Sequence, residues 1–235
     1  MEPTIEVITK RFNIPFTGFY LTVNPVTLEM TWLVIGIVLV IMLLLKGRLS
    51  MVPNRPQSFL EMMVVWFDNM LEESLGKEGR AFLPFIMTLF LFVLISNLIS
   101  IVPTLKSPTA DLNTCFALAI MVFLIAHVSA IKKLGFRAYL RHYFEPFWWL
   151  LPSNLISEFS KMLSHALRLF GNMFAGGLLI AFLPFIIMKI LKVWGIPLNL
   201  LLMPLFSLFF GVVIGCIQAF VFAILAVSYI TVLRS

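Results

Sequence analysis

The chain has 235 residues, 61% of them hydrophobic and only 12% charged, with a mean hydropathy of +1.04. A soluble domain averages about 45–50% apolar and about 25% charged residues, so a water-soluble enzyme or nucleic-acid-binding domain is excluded and an integral membrane protein is indicated. The net charge of +6 then marks basic loops on one side of a bilayer, not affinity for nucleic acid.

Residues 1–25 carry Glu2, Glu6, Lys10 and Arg11 among Pro3, Pro15 and Pro25, without a long apolar core, and do not resemble a cleavable signal peptide. The first crossing is expected over 26–45, long enough for a hydrocarbon core of about 30 Å at about 1.5 Å per residue. Lys46, Arg48 and Arg55 follow it. In 57–75, Phe59, Met62, Met63, Trp66, Phe67 and Met70 recur at helical spacing, while Glu61, Asp68, Glu72 and Glu73 interrupt them. That pattern suits a helix lying at the membrane surface or packed on other helices. Crossings two and three are expected over 81–102 and 113–131, joined by a turn-rich loop at 103–112. Two apolar arms follow, over 152–191 and 197–233. Each would be roughly 55–60 Å long if helical, nearly twice what a perpendicular crossing needs. Steep tilt, or a break near Pro184 or Pro204, must absorb the excess.

The segments 46–80 (Lys46, Arg48, Arg55, Lys77, Arg80) and 132–145 (Lys132, Lys133, Arg137, Arg141) hold nine basic residues, against Lys106 alone in 103–112. The positive-inside rule therefore puts them in the cytoplasm, with the N-terminus outside and the C-terminus inside. Cys115 and Cys216 lie within apolar runs, as small apolar fillers and not as a disulfide or metal site. Gly76-Lys77 lacks the upstream glycine of a phosphate loop. No catalytic site, metal centre or cofactor is expected in this chain.

The first long arm carries a polar stripe. Asn154, Glu158, Lys161, His165, Arg168 and Asn172 follow one another at spacings of 4, 3, 4, 3 and 4, so a helix puts all six on one face, with Ser157 and Ser164 beside it. A charge at mid-membrane costs from about 2.5 to more than 10 kcal/mol and faces protein or water, not lipid. Glu158 and Lys161 have two readings: an internal pair with snorkelling side chains, or a direct transport role. Arg168 cannot deprotonate and has no sequence-adjacent carboxylate, so it needs an acid from another subunit or a polar groove. On the second arm Ser207, Gly211, Gly215 and Gln218 answer the stripe. GVVIG is a GxxxG pattern, a weak signal that permits close helix approach. Gln218 is expected to hydrogen-bond Arg168 or Asn172.

Arg168-Leu-Phe-Gly-Asn172-Met-Phe-Ala-Gly176, with Gln218-Ala-Phe-Val-Phe222 and the earlier Pro-Thr-Ala-Asp111-Leu-Asn113-Thr, resembles subunit a of the F-type rotary ATP synthases across essentially the whole chain. The resemblance implies an all-α integral membrane fold with five crossings and a surface helix. The last two crossings would form a tilted hairpin against a ring of c subunits. It implies a bacterial plasma-membrane protein partnered by ring carboxylates, peripheral-stalk b subunits and, indirectly, a soluble ATPase sector that does the phosphoryl chemistry. Arg168 would correspond to the family's essential arginine, attracting ionised ring carboxylates between two aqueous half-channels for protons or sodium, with Asn172 and Gln218 holding it. An inner half-channel would use Asn154, Ser157, Glu158, Lys161 and His165. An outer one would use Asp111 and Asn113 at its mouth, then the region of Gly176, Gly177, Ser207 and Gly211. For Asp111 and Asn113 simple helix capping is the other reading. Family members often carry titratable residues at positions 177 and 211, and here both are glycine. Water filling that space and sodium coupling, which needs oxygen ligands and no relay, both account for the departure. A stand-alone channel or secondary transporter is the competing function, but it predicts matched halves that the sequence lacks. A non-conducting assembly subunit would leave Arg168 without a role.

Overall fold

The computed structural model describes residues 10–13, 20–46, 55–102, 105–144, 147–192 and 195–234. Arg48, Pro103, Trp194 and most of the expected N-terminal segment lie outside them. Within that segment β1 (Lys10–Asn13) and β2 (Tyr20–Val23) form an antiparallel hairpin, Lys10 opposite Val23 and Asn13 opposite Tyr20.

The rest of the described residues are helical apart from short connections. α1 (Pro25–Lys46) is followed by α2 (Arg55–Leu75), a 3-10 segment at Gly76–Phe82, and α3 (Leu83–Ile99). A short loop leads to α4 (Leu112–Leu134). Gly135, at φ 83°, stops that helix in a conformation costly for any residue with a Cβ, and α5 (Phe136–Phe144) follows at once. α6 (Leu151–Leu191) and α7 (Gly195–Leu208) make the long hairpin, and α7 passes through a π-helical segment at Phe209–Ile214 into α8 (Gly215–Arg234). Five helical segments among the described residues are long and apolar enough to cross a membrane, the second running from α2 through α3.

Neither Pro184 nor Pro204 ends a helix; both lie inside one, and the departure from α geometry comes at 209–214 instead. The helix expected over 57–75 forms as α2, and of its two readings the packed one is seen: Phe67 and Leu71 are sealed in the core against α3, leaving Phe59, Met62 and Trp66 outward.

The core sits where α3, α4 and α8 meet. α4 contributes Cys115, Ala119, Val122, Ala126 and Ala130, and α8 contributes Ala219, Ala223, Ala226 and Ile230, all buried. Lipid tails are as apolar as leucine, so close backbone approach across small residues drives such packing. Cys115 adds a weak bond to the Thr109 carbonyl at 3.1 Å, while Cys216 faces outward.

Polar ties define the two ends of the bundle. At one end Thr27 donates to Asp111 at 2.9 Å, joining the starts of α1 and α4. At the other, Arg234 pairs with Glu78 and lies over the Phe82 ring, and Lys133 donates to the Arg234 carbonyl at 3.1 Å. Arg80 and Asp68 add an ion pair at 2.9 Å. Lys132, Lys133, Arg137 and Arg141 gather at this second, basic end.

Candidate functional site

The stripe on α6 starts from a helix that Pro152 can open without losing a backbone bond, since the first-turn N–H groups have no intrahelical partner. Ala166 and Leu169 anchor the helix in the core, and this turns the flank of the stripe toward α4 and α8. Lys161 donates to one Glu158 oxygen at 2.7 Å, and the Tyr229 hydroxyl donates to the other, also at 2.7 Å. The carboxylate is thus held on both sides. His165 packs edge-on to Phe222, ring centroids 4.1 Å apart, and its buried Nε2 has no hydrogen-bond partner among the described residues.

Between α4, α6 and α8 lies a cavity of about 440 Å³ with Ser157, Lys161, Ser164, His165, Arg168 and Tyr229 on its walls. It extends to Val232, toward the basic end. Arg168 stands at its other limit, exposed, and no carboxylate among the described residues reaches salt-bridge distance from it.

One turn beyond Arg168, Asn172 donates to the Gln218 carbonyl oxygen. Gln218 is only 3% exposed, and its own amide nitrogen has no partner among the described residues. Past this contact opens a second cavity of about 320 Å³, lined by Ser100, Lys106, Ser107, Asn172, Gly177 and Ser207, among others. It reaches the loop beside Asp111, at the opposite end of the bundle. The Asn172–Gln218 pair therefore stands between two cavities that approach Arg168 from opposite ends.

The glycines act differently from one another. A Cβ on Gly177 would meet nothing within 4 Å, so that position opens into the second cavity. A Cβ on Gly211 would run into the Ile101 side chain, and one on Gly215 would lie 3.0 Å from the Asn97 Cβ. The GxxxG pattern thus seats the second arm on α3 and the turn that follows it, and Ile101 occupies the space a side chain at 211 would take. A Cβ on Gly176 would sit 3.1 Å from the Phe210 ring. Phe209–Ile214 is the π-helical turn, a feature frequent at functional sites.

Of the expected inner residues, Ser157, Lys161 and His165 line the first cavity. Glu158 reaches it only through Lys161 and Tyr229, and Asn154 is turned away to donate to the Tyr143 carbonyl at 3.0 Å. Of the outer ones, Ser207, Gly176, Gly177 and Gly211 line the second cavity and Asp111 and Asn113 do not. Asp111 caps α4 by accepting from the Asn113 backbone at 2.9 Å, and its other oxygen is taken by Thr27.

Sequence reasoning missed three groups. Lys106 lines the second cavity. Tyr229 completes the Glu158 site. A buried network fixes the π segment: Asn97 donates to the Gly215 carbonyl at 3.1 Å and accepts from Thr109 at 2.8 Å, while Ser107 donates to the Ser96 carbonyl at 2.7 Å. Ser96 and Asn97, the polar pair inside an apolar crossing, were the visible signal for it.

The ATP synthase A chain family model matches residues 28–231. The chain is 39% identical over 218 residues to "ATP synthase subunit a" of Moorella thermoacetica, covering 92% of this chain and 94% of that one. It is 43% identical to the protein of the same name from Geobacter sulfurreducens and 42% identical to that from Trichlorobacter lovleyi, in each case over 85% of this chain and 83% of the relative.

Proposed function

The chain belongs to the ATP synthase A chain family, and from that premise we propose that Arg168 is the cation around which it moves coupling ions for an F-type ATP synthase. The chain is a multi-pass membrane protein of the Fo sector. In the proposed scheme the cavity at the basic end is the inner half-channel, and the one beside Lys106 and Ser207 is the outer. The basic end faces the cytoplasm of a bacterial plasma membrane, with the N-terminus outside.

The observation that carries the reading is the position of Arg168. It is a permanent cation at the limit of one cavity, one turn from the Asn172–Gln218 contact that separates it from the other, and without a carboxylate partner among the described residues. A carboxylate on each ring subunit supplies the missing charge. Neutralised by an ion it can face lipid; ionised, it is held at the interface with this chain, since an unpaired charge in hydrocarbon is costly. Arg168 attracts the ionised form and repels the free coupling ion, which prevents leakage from cavity to cavity. The attraction must stay moderate, because a deeply desolvated permanent pair would stall rotation. Moving one charge through 100 mV is worth about 2.3 kcal/mol, so several ions are needed per ATP.

Arg168→Ala tests this directly. Ion-driven ATP synthesis in membrane vesicles is expected to fall at least about 100-fold, the factor that roughly 3 kcal/mol at the barrier implies, with the complex still assembled. Near-normal coupled synthesis would overturn the reading. Assays of ATP hydrolysis with and without sodium at fixed pH, and of sodium protection against carbodiimide labelling of the ring, decide which ion is carried.

A further inference from the structure

The segment that joins α4 to α6 has three facets, and neither cavity uses them. α5 projects Tyr139 and Tyr143 inward, each 8% exposed, with their hydroxyls 2.8 Å apart and the Tyr143 hydroxyl 3.4 Å from the His127 ring. One helical step around, Phe136, Leu140 and Phe144 are 63%, 42% and 47% exposed. The third facet carries Arg137 and Arg141, both exposed, directly after Lys132 and Lys133 at the end of a crossing. No Asp or Glu occurs from residue 112 to residue 144. Phe147, Trp148 and Trp149 follow, 55%, 74% and 61% exposed, Phe147 stacked on Trp149 at 5.0 Å.

A helix docked on protein by one side, apolar on the second and cationic on the third fits the boundary of a bilayer, its apolar side among the acyl chains and its charges among the headgroups. Exposed tryptophans where a crossing ends belong at the same depth. We propose that α5 and the Phe147–Trp149 turn form a docking surface for anionic phospholipid. Lys132 and Arg137 attract the phosphate headgroups, and Phe136, Leu140 and Phe144 seat the chains. Each basic residue near an anionic surface contributes about 1 kcal/mol, which is roughly a fivefold preference for anionic over zwitterionic lipid per charge. The inference stands apart from the half-channel reading, since it needs only a chain held in a membrane.

The test uses the purified complex with brominated phosphatidylglycerol or brominated phosphatidylcholine as quencher, and takes the tryptophan signal lost in W148F/W149F as the local probe. Phosphatidylglycerol is expected to associate about tenfold or more tightly than phosphatidylcholine, with K132Q/R137Q lowering that preference by an order of magnitude and K132R/R137K preserving it. Should the neutral double variant fail to assemble, raising ionic strength from about 0.05 to about 0.5 M on the unaltered complex is expected to collapse the preference. Equal quenching by both lipids, a preference indifferent to charge and salt, or no quenching by either because protein covers the facet would each overturn the proposal.

Discussion

The two cavities differ in what builds them. The first is walled by side chains: Lys161, His165, Arg168 and Tyr229 project into it, and the Glu158 carboxylate behind them is fixed from two directions. The second is widened where a side chain is missing, at Gly177, and Lys106 is the charged residue among those lining it. Polar side chains at heptad-like spacing announce themselves in a sequence. A cavity made by glycine does not, because the same residue opens space at Gly177 and admits the Ile101 side chain at Gly211.

Mutations can break this contrast, beginning at the wall both cavities share. Arg168→Ala is expected to be the most damaging, and Gln218→Leu should follow it. The leucine removes the acceptor of Asn172 and the partition with it, so coupled synthesis should drop several-fold, by the factor that roughly 1 kcal/mol per lost hydrogen bond implies. ATP-driven ion pumping against synthesis in the same vesicles would register the leak. An unchanged coupling ratio would remove Gln218 from the partition.

The glycines are expected to separate next. Gly211→Ala forces the Ile101 side chain to move and should cost about 1–3 kcal/mol as overpacking, seen as earlier thermal disassembly of the complex. Ile101→Ala should restore much of that loss in the double variant. Gly177→Ala meets open space and should stay within about 0.5 kcal/mol. Equal penalties at 177 and 211 would show that the two positions are not the opposites described.

Asn97→Ala should cost about 1–3 kcal/mol, because it removes the acceptor of the buried Thr109 hydroxyl, which keeps only Ser107, and leaves the Gly215 carbonyl without the Asn97 donor. On ion-driven synthesis the smallest effect is expected from Asp111→Asn. Replacement by Ala removes a helix cap worth about 1 kcal/mol, whereas Asn keeps it. If Asp111→Asn leaves ion-driven synthesis intact, capping is the residue's whole task. A large loss of transport at unchanged stability would return it to the outer path.

Much of the site was legible before any fold was known. The spacing of Asn154 through Asn172 required one helix face, and the arginine within it required compensation from elsewhere, since guanidinium cannot shed its charge. Gln218 stood out as a polar group in an apolar arm. Two of the polar residues have local duties. Asn154 turned to a backbone carbonyl in the α5 connection and Asp111 to a helix terminus, because an unpaired backbone group in a membrane protein is costly and a nearby side chain is the readiest remedy. Of the two ways to absorb the excess length, a break at Pro184 or Pro204 is not taken, since both helices run through their prolines. Asn199 donates to the Pro184 carbonyl at 3.1 Å, a tie between α7 and α6 near the turn of the hairpin.

From composition and periodicity alone followed the membrane environment, the number of crossings, the overlong final hairpin and the stripe. Each depends only on how apolar length and the 3.6-residue repeat act along one helix. Tertiary structure decided which neighbour each helix met. It seated Gly211 and Gly215 on α3, brought Asn172 to Gln218, gave Glu158 to Tyr229 and left Arg168 at the limit of a cavity. Those outcomes depend on the shapes of several helices packed together, and no single helix encodes them.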